Sequence, residues 1–269
     1  MELQDKRVLL TGASGGIGKE VAKALEAKGA KLLLVARNGN KLEALKNSLE
    51  FPHHHEVVAA DLSTDAGLEK VKQTCLNLSQ KGQRIDVLIN NAGSNQFSFL
   101  AQRSSPSIEL EMRLNLLVPM LLSQSALSWI RRPGIILNVG STFGSIGFPG
   151  YTTYCAAKSG LQRFSEALDR ELDGSGIRAL YLAPRATDTT LNDRFVNQMN
   201  QQLGNKSDSP EVVAGHVVDI LEKEQASRWI GWPEKLFARI NQILPGVVSK
   251  SIRKQQDIIH HFINQVHGK

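Results

Sequence analysis

Val8-Leu9-Leu10-Thr11-Gly12-Ala13-Ser14-Gly15-Gly16-Ile17-Gly18 is the stretch on which the fold turns. Three apolar residues make a short strand and the glycines a turn. Val21, Leu25 and the neighbouring alanines then mark one face of a helix that stops at a Lys28-Gly29 C-cap. Leu32-Leu33-Leu34-Val35 follows as a continuous apolar run, the pattern of a strand buried on both faces. Strand, glycine turn, helix and parallel strand within about 30 residues form a βαβ unit. Such a turn lets the backbone approach a pyrophosphate, which sits against the amides of the helix N-terminus. The glycine pattern alone is weak; its place between strand and helix gives it weight.

Further steps follow on the C-terminal side. Val57 to Ala60 reads as a third strand with Asp61-Leu62 at its end, where the Asp61 carboxylate either meets an adenine amino group or caps the next helix. Leu68, Val71, Cys75 and Leu78 mark that helix, and Ile85 to Ile89 a fourth strand entering Asn90-Asn91-Ala92-Gly93. Ile108 to Ile130 reads as one long helix, with Asn115 as a polar interruption of its apolar stripe. A buried amide needs partners, so Asn115 is expected to bond a nearby backbone or hold a water. Ile135-Ile136-Leu137 gives a fifth strand, Ile177 to Ala183 a sixth that stops at Pro184, and Arg228 to Gly231 a closing strand. Leu191, Phe195 and Met199 recur at four-residue spacing, as a lid over a pocket or as core packing. The result is one α/β domain with seven β/α steps over residues 1–233 and a tail over residues 234–269.

The chemistry gathers between Ser141 and Lys158. The fifth strand delivers the Ser141 hydroxyl at its C-terminal end, and Tyr154 and Lys158, four apart, share one helical face. An ammonium beside a phenol favours the phenolate, which lowers a tyrosine pKa from its ordinary value of about 10. Ser141 would hold a carbonyl oxygen in line with that phenol. At the end of the second strand, Ala36-Arg37 stands where a site specific for NAD would carry an acid; an arginine there suits a 2′-phosphate, so NADP(H) is expected over NAD(H). His53-His54-His55 are adjacent loop residues without supporting ligand spacing, and no metal site is expected.

Composition narrows the rest. The chain has 269 residues, 41% hydrophobic and 22% charged, which describes a soluble globular protein. No apolar run reaches the length of a membrane span, and the charged start, Met1-Glu2-Leu3-Gln4-Asp5-Lys6-Arg7, is unlike a secretion signal. Two cysteines, Cys75 and Cys155, build no disulfide framework, so a cytoplasmic location is expected. Of the net charge of +6, a surplus of four lies beyond residue 233, and no nucleic-acid-reading module accompanies it.

In this order the motifs resemble the short-chain dehydrogenase/reductase family, in its single-domain branch of about 250 residues. The resemblance covers roughly residues 5 to 232. It rests on Thr11-Gly12-x-x-x-Gly16-x-Gly18, Asn90-Asn91-Ala92-Gly93, Asn115, Ser141, Tyr154-x-x-x-Lys158 and Pro184. It implies a Rossmann-like, doubly wound parallel sheet of seven strands with helices on both faces, binding a nicotinamide cofactor above its C-terminal edge. By the resemblance Tyr154 exchanges a proton with a carbonyl or alcohol, and Lys158 binds the nicotinamide ribose and depresses the tyrosine pKa. Ser141 orients the substrate oxygen, and Asn115 holds a water that relays protons through the lysine. Gly12, Ser14, Gly16, Ile17 and Gly18 would face the pyrophosphate, Arg37 the 2′-phosphate and Asp61 and Leu62 the adenine. Asn91, Ala92 and Gly93 would adjoin the ribose, and Pro184 and Thr187 the carboxamide. The family usually has glycine after the proline; this chain has Arg185, which could also read an anionic substrate group. Dimers or tetramers are implied as well.

Phe97, Phe99, Phe143, Ile146 and Phe148, with Leu191 and Phe195, are expected to line the substrate site and to favour a hydrophobic or lipid-like carbonyl or alcohol. In the tail, Leu236, Phe237, Ile240, Ile243 and Leu244 lie on a helical face, and Val247, Val248, Ile252, Ile258, Ile259 and Phe262 follow among basic residues. That pattern suits a helix pair over the substrate cleft or a partner subunit, or an amphipathic segment on an anionic membrane. The reading is an NADP(H)-dependent oxidoreductase. The alternatives are a non-catalytic NADP(H)-binding regulatory or scaffold protein of the same fold, or an isomerase or dehydratase using the same tyrosine.

Overall fold

The computed structural model describes residues 1–189, 192 and 194–267. Seven strands form one parallel sheet: β1 (Arg7–Thr11), β2 (Lys31–Ala36), β3 (Glu56–Ala59), β4 (Ile85–Asn90), β5 (Ile130–Val139), β6 (Ile177–Ala183) and β7 (Ser227–Trp229). Their order in space is β3-β2-β1-β4-β5-β6-β7. The chain winds outward from β1 in one direction, then returns and winds outward from β4 in the other. That reversal opens a crevice above the carboxyl ends of β1 and β4, the place where parallel sheets of this kind bind ligands. Every residue of β4 is buried, as are Leu32 to Val35 of β2. The unbroken apolar runs therefore mark strands covered on both faces.

The helices in chain order are α1 (Gly16–Glu26), α2 (Gly39–Asn47), α3 (Asp65–Gln80), α4 (Ser105–Met112), α5 (Val118–Trp129), α6 (Thr152–Glu171), α7 (Arg194–Gln202), α8 (Pro210–Lys223), α9 (Trp232–Ile243), α10 (Pro245–Arg253) and α11 (Gln256–His267). On one face of the sheet, Val21 and Leu25 of α1 pack with Val213, Val217 and Leu221 of α8 over β1 and β2. On the other, Val71 and Cys75 of α3, Leu122 and Trp129 of α5 and Leu168 of α6 cover the sheet. Thr64, not Asp61, caps α3 by accepting from the Gly67 amide at 3.0 Å. None of the described helices is long and apolar enough to cross a membrane.

The expected long helix from Ile108 to Ile130 is helical without a break from Ser105 to Trp129, but it is not α throughout. It comprises α4, a π turn over Arg113–Leu117 and α5, and Ile130 already belongs to β5. The cause is in the sequence: Pro119 has no N–H to give the carbonyl four residues back, that of Asn115. The wider turn sits where that rung of the ladder is missing.

A third apolar cluster lies above the carboxyl edge of the sheet. Phe97, Tyr151, Cys155 and the α7 residues Val196 and Met199 pack there with Ile259, Phe262 and Ile263 of α11. The tail forms three helices, not two, and α11 with Ile252 of α10 supplies its share of this cluster.

Candidate active site

Ser141 leaves the end of β5 after Gly140, where an added Cβ would lie 2.2 Å from the Tyr181 ring. Tyr181 is fully buried in β6, and its hydroxyl donates to the Ser141 carbonyl at 3.2 Å and accepts from the Ser141 amide at 3.4 Å. The Ser141 backbone is thus clamped from the neighbouring strand. Its Oγ accepts from the Phe143 amide at 3.1 Å, at the entry to a 3-10 turn over Thr142–Gly144. Tyr154 and Lys158 stand one turn apart on α6, with Lys158 Nζ 5.7 Å from the Tyr154 ring centroid and donating to the Val139 carbonyl at 2.9 Å.

Asn115 enters from the π turn. Its Nδ2 donates to the Ser94 carbonyl at 2.7 Å and the Glu111 carbonyl at 2.9 Å. Its Oδ1 is buried and has no hydrogen-bond partner among the described residues. Gly93 is what lets it approach: a Cβ there would lie 2.6 Å from Asn115 Oδ1 and 3.9 Å from Lys158 Nζ. Gly93, Asn115 and Lys158 therefore meet at one point.

The electrostatics differ from the sequence expectation. Burial raises the Tyr154 phenol above its ordinary value; the Ser141 hydroxyl opposes this, and Cys155 and Glu111 add to it. The ring is half-buried because it faces a cavity, but the depth of the site still disfavours a phenolate. Burial also depresses the Lys158 pKa, to about 8. The depressed tyrosine is thus corrected: both groups are shifted toward their neutral forms, a consequence of burial that spacing along a helix does not reveal.

The glycine turn fits an anionic dinucleotide. Gly15 is the N-cap of α1, and no side chain caps the helix, so its first amides are not taken by a side chain. Gly12 has φ +66°, and a Cβ on it would lie 2.8 Å from Ala92 Cα, which welds the turn to the end of β4. Thr11 Oγ1 accepts from the amides of Asn91 and Ala92 at 2.9 and 3.0 Å, and Asn91 Nδ2 donates to the Thr11 carbonyl at 3.0 Å. Gly18 serves close packing against Gly12 and Ala13, and Gly16 faces the Thr189 side chain. Ser14 is half-exposed on the turn. Arg37 is exposed just past β2, near enough to Asp61 to help lower that carboxyl's pKa, mainly the work of the Ser63 hydroxyl. Leu62 points into the core.

One cavity of about 440 Å³ joins the catalytic residues to the near side of the glycine turn, while Gly12, Ser14, Gly16, Gly18, Arg37, Asp61, Leu62 and Ala92 lie outside its lining. Ile17, Asn91, Gly93, Asn115, Ser141, Tyr154, Lys158, Pro184 and Thr187 all line it. Its apolar wall holds Phe143, Ile146, Phe148, Tyr151, Val196 and Met199, with Phe237, Val248 and Ile252 from the tail. The expected rim needs correction at three places. Phe97 is buried behind the wall, 5.0 Å from the Tyr151 ring; Phe99 packs edge-on to His260 of α11; and α7 lines the cavity with Val196 and Met199, not Phe195. Leu191 lies outside the described residues. Arg185 is not free to read an anionic substrate: it pairs through two nitrogens with Asp208, at 2.6 and 2.9 Å, and with Glu234 of α9 at 3.4 Å.

The histidine run splits. His55 is buried, its Nδ1 accepting from the Leu32 amide at 3.1 Å while Nε2 meets Glu26 at 3.0 Å. His54 stacks on Phe51. Tyr181 and Tyr151 are the site residues that pattern reading missed, and the bonds of Thr11 to the Asn91 and Ala92 amides give a purpose to a residue it had read only as part of the glycine motif. The one signal for Tyr181 was an aromatic hydroxyl in an otherwise aliphatic strand, since a buried phenol needs a partner.

The sequence model of the family described as short chain dehydrogenase matches residues 6–201. The chain is 29% identical over 234 residues to a 3-oxoacyl-(acyl-carrier-protein) reductase of Rickettsia felis, covering 84% of this chain and 93% of that one. A short chain dehydrogenase from Burkholderia cenocepacia solved with NADP is 25% identical with a TM-score of 0.74, covering 82% of this chain and 91% of that one. A short-chain dehydrogenase from Sphingobium yanoikuyae solved with NADPH is 26% identical with a TM-score of 0.73, covering 91% and 95%. The family model spans β1 to α7, and with it the Ser141, Tyr154 and Lys158 wall of the cavity, so this chain belongs to the short-chain dehydrogenases and is an oxidoreductase of carbonyl and alcohol groups.

Proposed function

We propose that the chain is an NADP(H)-dependent reductase of hydrophobic, lipid-like carbonyl compounds, with Tyr154 as the proton donor. The observation that carries this reading is the convergence of Ser141, Tyr154, Lys158 and Asn115 on one cavity whose other wall is apolar. The glycine turn and the uncapped start of α1 would hold the pyrophosphate, and Arg37, with no acid beside it at position 36, the 2′-phosphate. Bound there, the nicotinamide supplies the hydride. Ser141 Oγ, carried on a backbone that Tyr181 clamps, orients the carbonyl oxygen toward the phenol. Tyr154, held protonated by its buried setting, gives its proton to that oxygen as negative charge develops. Lys158, anchored on the Val139 carbonyl beside Asn115, refills the tyrosine along the Gly93 side of the site. The related Rickettsia felis protein is named as a reductase of 3-oxoacyl groups on a carrier, which fits a cavity with aromatic walls. Homo-oligomers are part of this reading, with Leu110, Leu117 and Met120 forming an exposed apolar face along α4 and α5. Two free buried thiols fit a cytoplasmic setting.

The test is a panel of aliphatic, aromatic and acyl-thioester carbonyls followed by NADPH absorbance, in parallel with NADH. Tyr154→Phe should lose turnover by about 10²- to 10⁴-fold while NADPH binding, followed by fluorescence, persists. A preference for NADH would overturn the role of Arg37. Binding of NADPH without turnover on any carbonyl would instead favour the non-catalytic alternative.

A further inference from the structure

The outer surface of the tail carries a pattern that neither the core nor the cavity uses. Trp232, Leu236 and Ile243 of α9 are 72%, 46% and 77% exposed, and Leu244 and Val247 at the next turn are 57% and 58% exposed. On α9 the spacing from 232 to 236 to 243 puts the three apolar side chains on one stripe, and Lys235 and Arg239 fall on the same face. Lys250, Arg253 and Lys254 extend the basic series along and just past the outer side of α10, and all five cations are exposed. None of the five forms an ion pair among the described residues, whereas the acid of this stretch, Glu234, is already bonded to Arg185. The opposite faces of α9 and α10 are spent inward: Ala238 is 3% and Val248 2% exposed.

Such a surface is costly in water, and its charge selects the partner. The cations have no acidic partner among the described residues, and Arg239 also lies over the Trp229 ring. An apolar stripe flanked by such cations complements the headgroup boundary of an anionic bilayer, where the stripe enters the acyl layer and the cations meet phosphates. A second copy of the same basic face would instead bring like charges together. We propose that the outer face of α9 and α10 is a docking surface for anionic membranes, on which the chain rests without spanning. The geometry gives the docking a consequence. Phe237 lines the cavity and is also 42% exposed, so the ridge borders the mouth of the cleft. Docking sets that mouth at the level of the headgroups.

The test needs no turnover, so its outcome is independent of the proposed reaction. The full chain is mixed with phosphatidylcholine vesicles with and without phosphatidylglycerol, and the bound fraction is measured by flotation. Binding is expected on the anionic vesicles only, falling with added salt, with a blue shift of Trp232 emission that Trp232→Phe removes. Reversing three charges together, Lys250→Glu, Arg253→Glu and Lys254→Glu, should weaken partition by about 100-fold or more. Ile243→Glu should weaken it with the charges intact; thermal melts of both variants check that the fold is kept. Absence of binding at low salt overturns the proposal, as does binding that ignores lipid charge or both sets of substitutions. It is equally overturned if Ile243→Glu splits an oligomer of a chain that binds no vesicles, since the ridge would then join two copies.

Discussion

Lys158 is a lysine held where a lysine is unstable. Its burial depresses the pKa from 10.5 to about 8, which corresponds to a penalty on the order of 3 kcal/mol on the folded state at neutral pH. The sign follows from proton counting. Between pH 8 and 10.5 the unfolded chain binds a proton at this residue that the folded chain does not, so this contribution to stability rises with pH across that window and is most adverse below it. Lys158→Met, which keeps the apolar stem, is therefore expected to raise the melting temperature at pH 7 while abolishing turnover. The gain should shrink as pH climbs from 8 toward 10.5. Calorimetry across that range checks it; a variant that melts lower than the parent at pH 7 would show that the bond to the Val139 carbonyl outweighs desolvation. Tyr154 and Lys158 were legible because a four-residue spacing forces two side chains onto one helical face. The direction of their pKa shifts was not, because it depends on how deep β5, α4 and α6 bury that face.

Among the elements, the loop before α4 and α4 itself carry a buried charge pair, Arg103 with Glu111, at 3.0 Å and each side chain 3% exposed. Burial raises the Glu111 carboxyl pKa, against the pull of Arg103 and the Gln96 amide. The Glu111 carbonyl in turn holds Asn115 Nδ2, so the pair fixes the turn that aims Asn115. Arg103→Met leaves a buried acid without its counter-charge and is expected to cost about 3–5 kcal/mol in chemical denaturation. Arg103→Met with Glu111→Met should recover most of that loss, because desolvation of both charges disappears together. A double variant as unstable as the single would mean that the bonds Arg103 donates to the Ser107 hydroxyl and carbonyl, at 3.0 and 2.9 Å, and not the ion pair, hold this region. The π turn beside it is an instructive miss. Leu110, Leu114, Leu117 and Leu121 keep helical spacing straight through it, and apolar periodicity does not register one extra residue in a turn. Pro119 was the available signal. The βαβ unit, by contrast, was readable because its strands are short, have unbroken apolar centres and are joined through a glycine turn and an amphipathic helix.

Across the whole molecule, Arg185 ties together parts that sequence distance keeps apart. It stands two residues past the end of β6, and its partners Asp208 and Glu234 lie 23 and 49 residues away. No local pattern announces such a pairing, which is why an unusual residue after Pro184 invited a substrate role. The structure gives it a mechanical one: the segment from Pro184 to Thr187, which lines the cavity, is bolted through Arg185 to the start of α9, whose neighbouring residues form the cavity's outer wall. Arg185→Gly, the residue usual in the family at this point, removes the shared partner of two carboxylates, of which Asp208 is 9% exposed. The expected loss is about 3 kcal/mol, at the low end for breaking a buried pair because Glu234 stays partly hydrated. A double-mutant cycle with Glu234→Gln isolates the link to the tail. Coupling between the two positions, with the substrate KM rising more than kcat falls, is the outcome expected of a bolt between loop and roof. Strict additivity of the two substitutions would show that α9 is held by its apolar inner face alone, and that Arg185 serves only the short connection to Asp208.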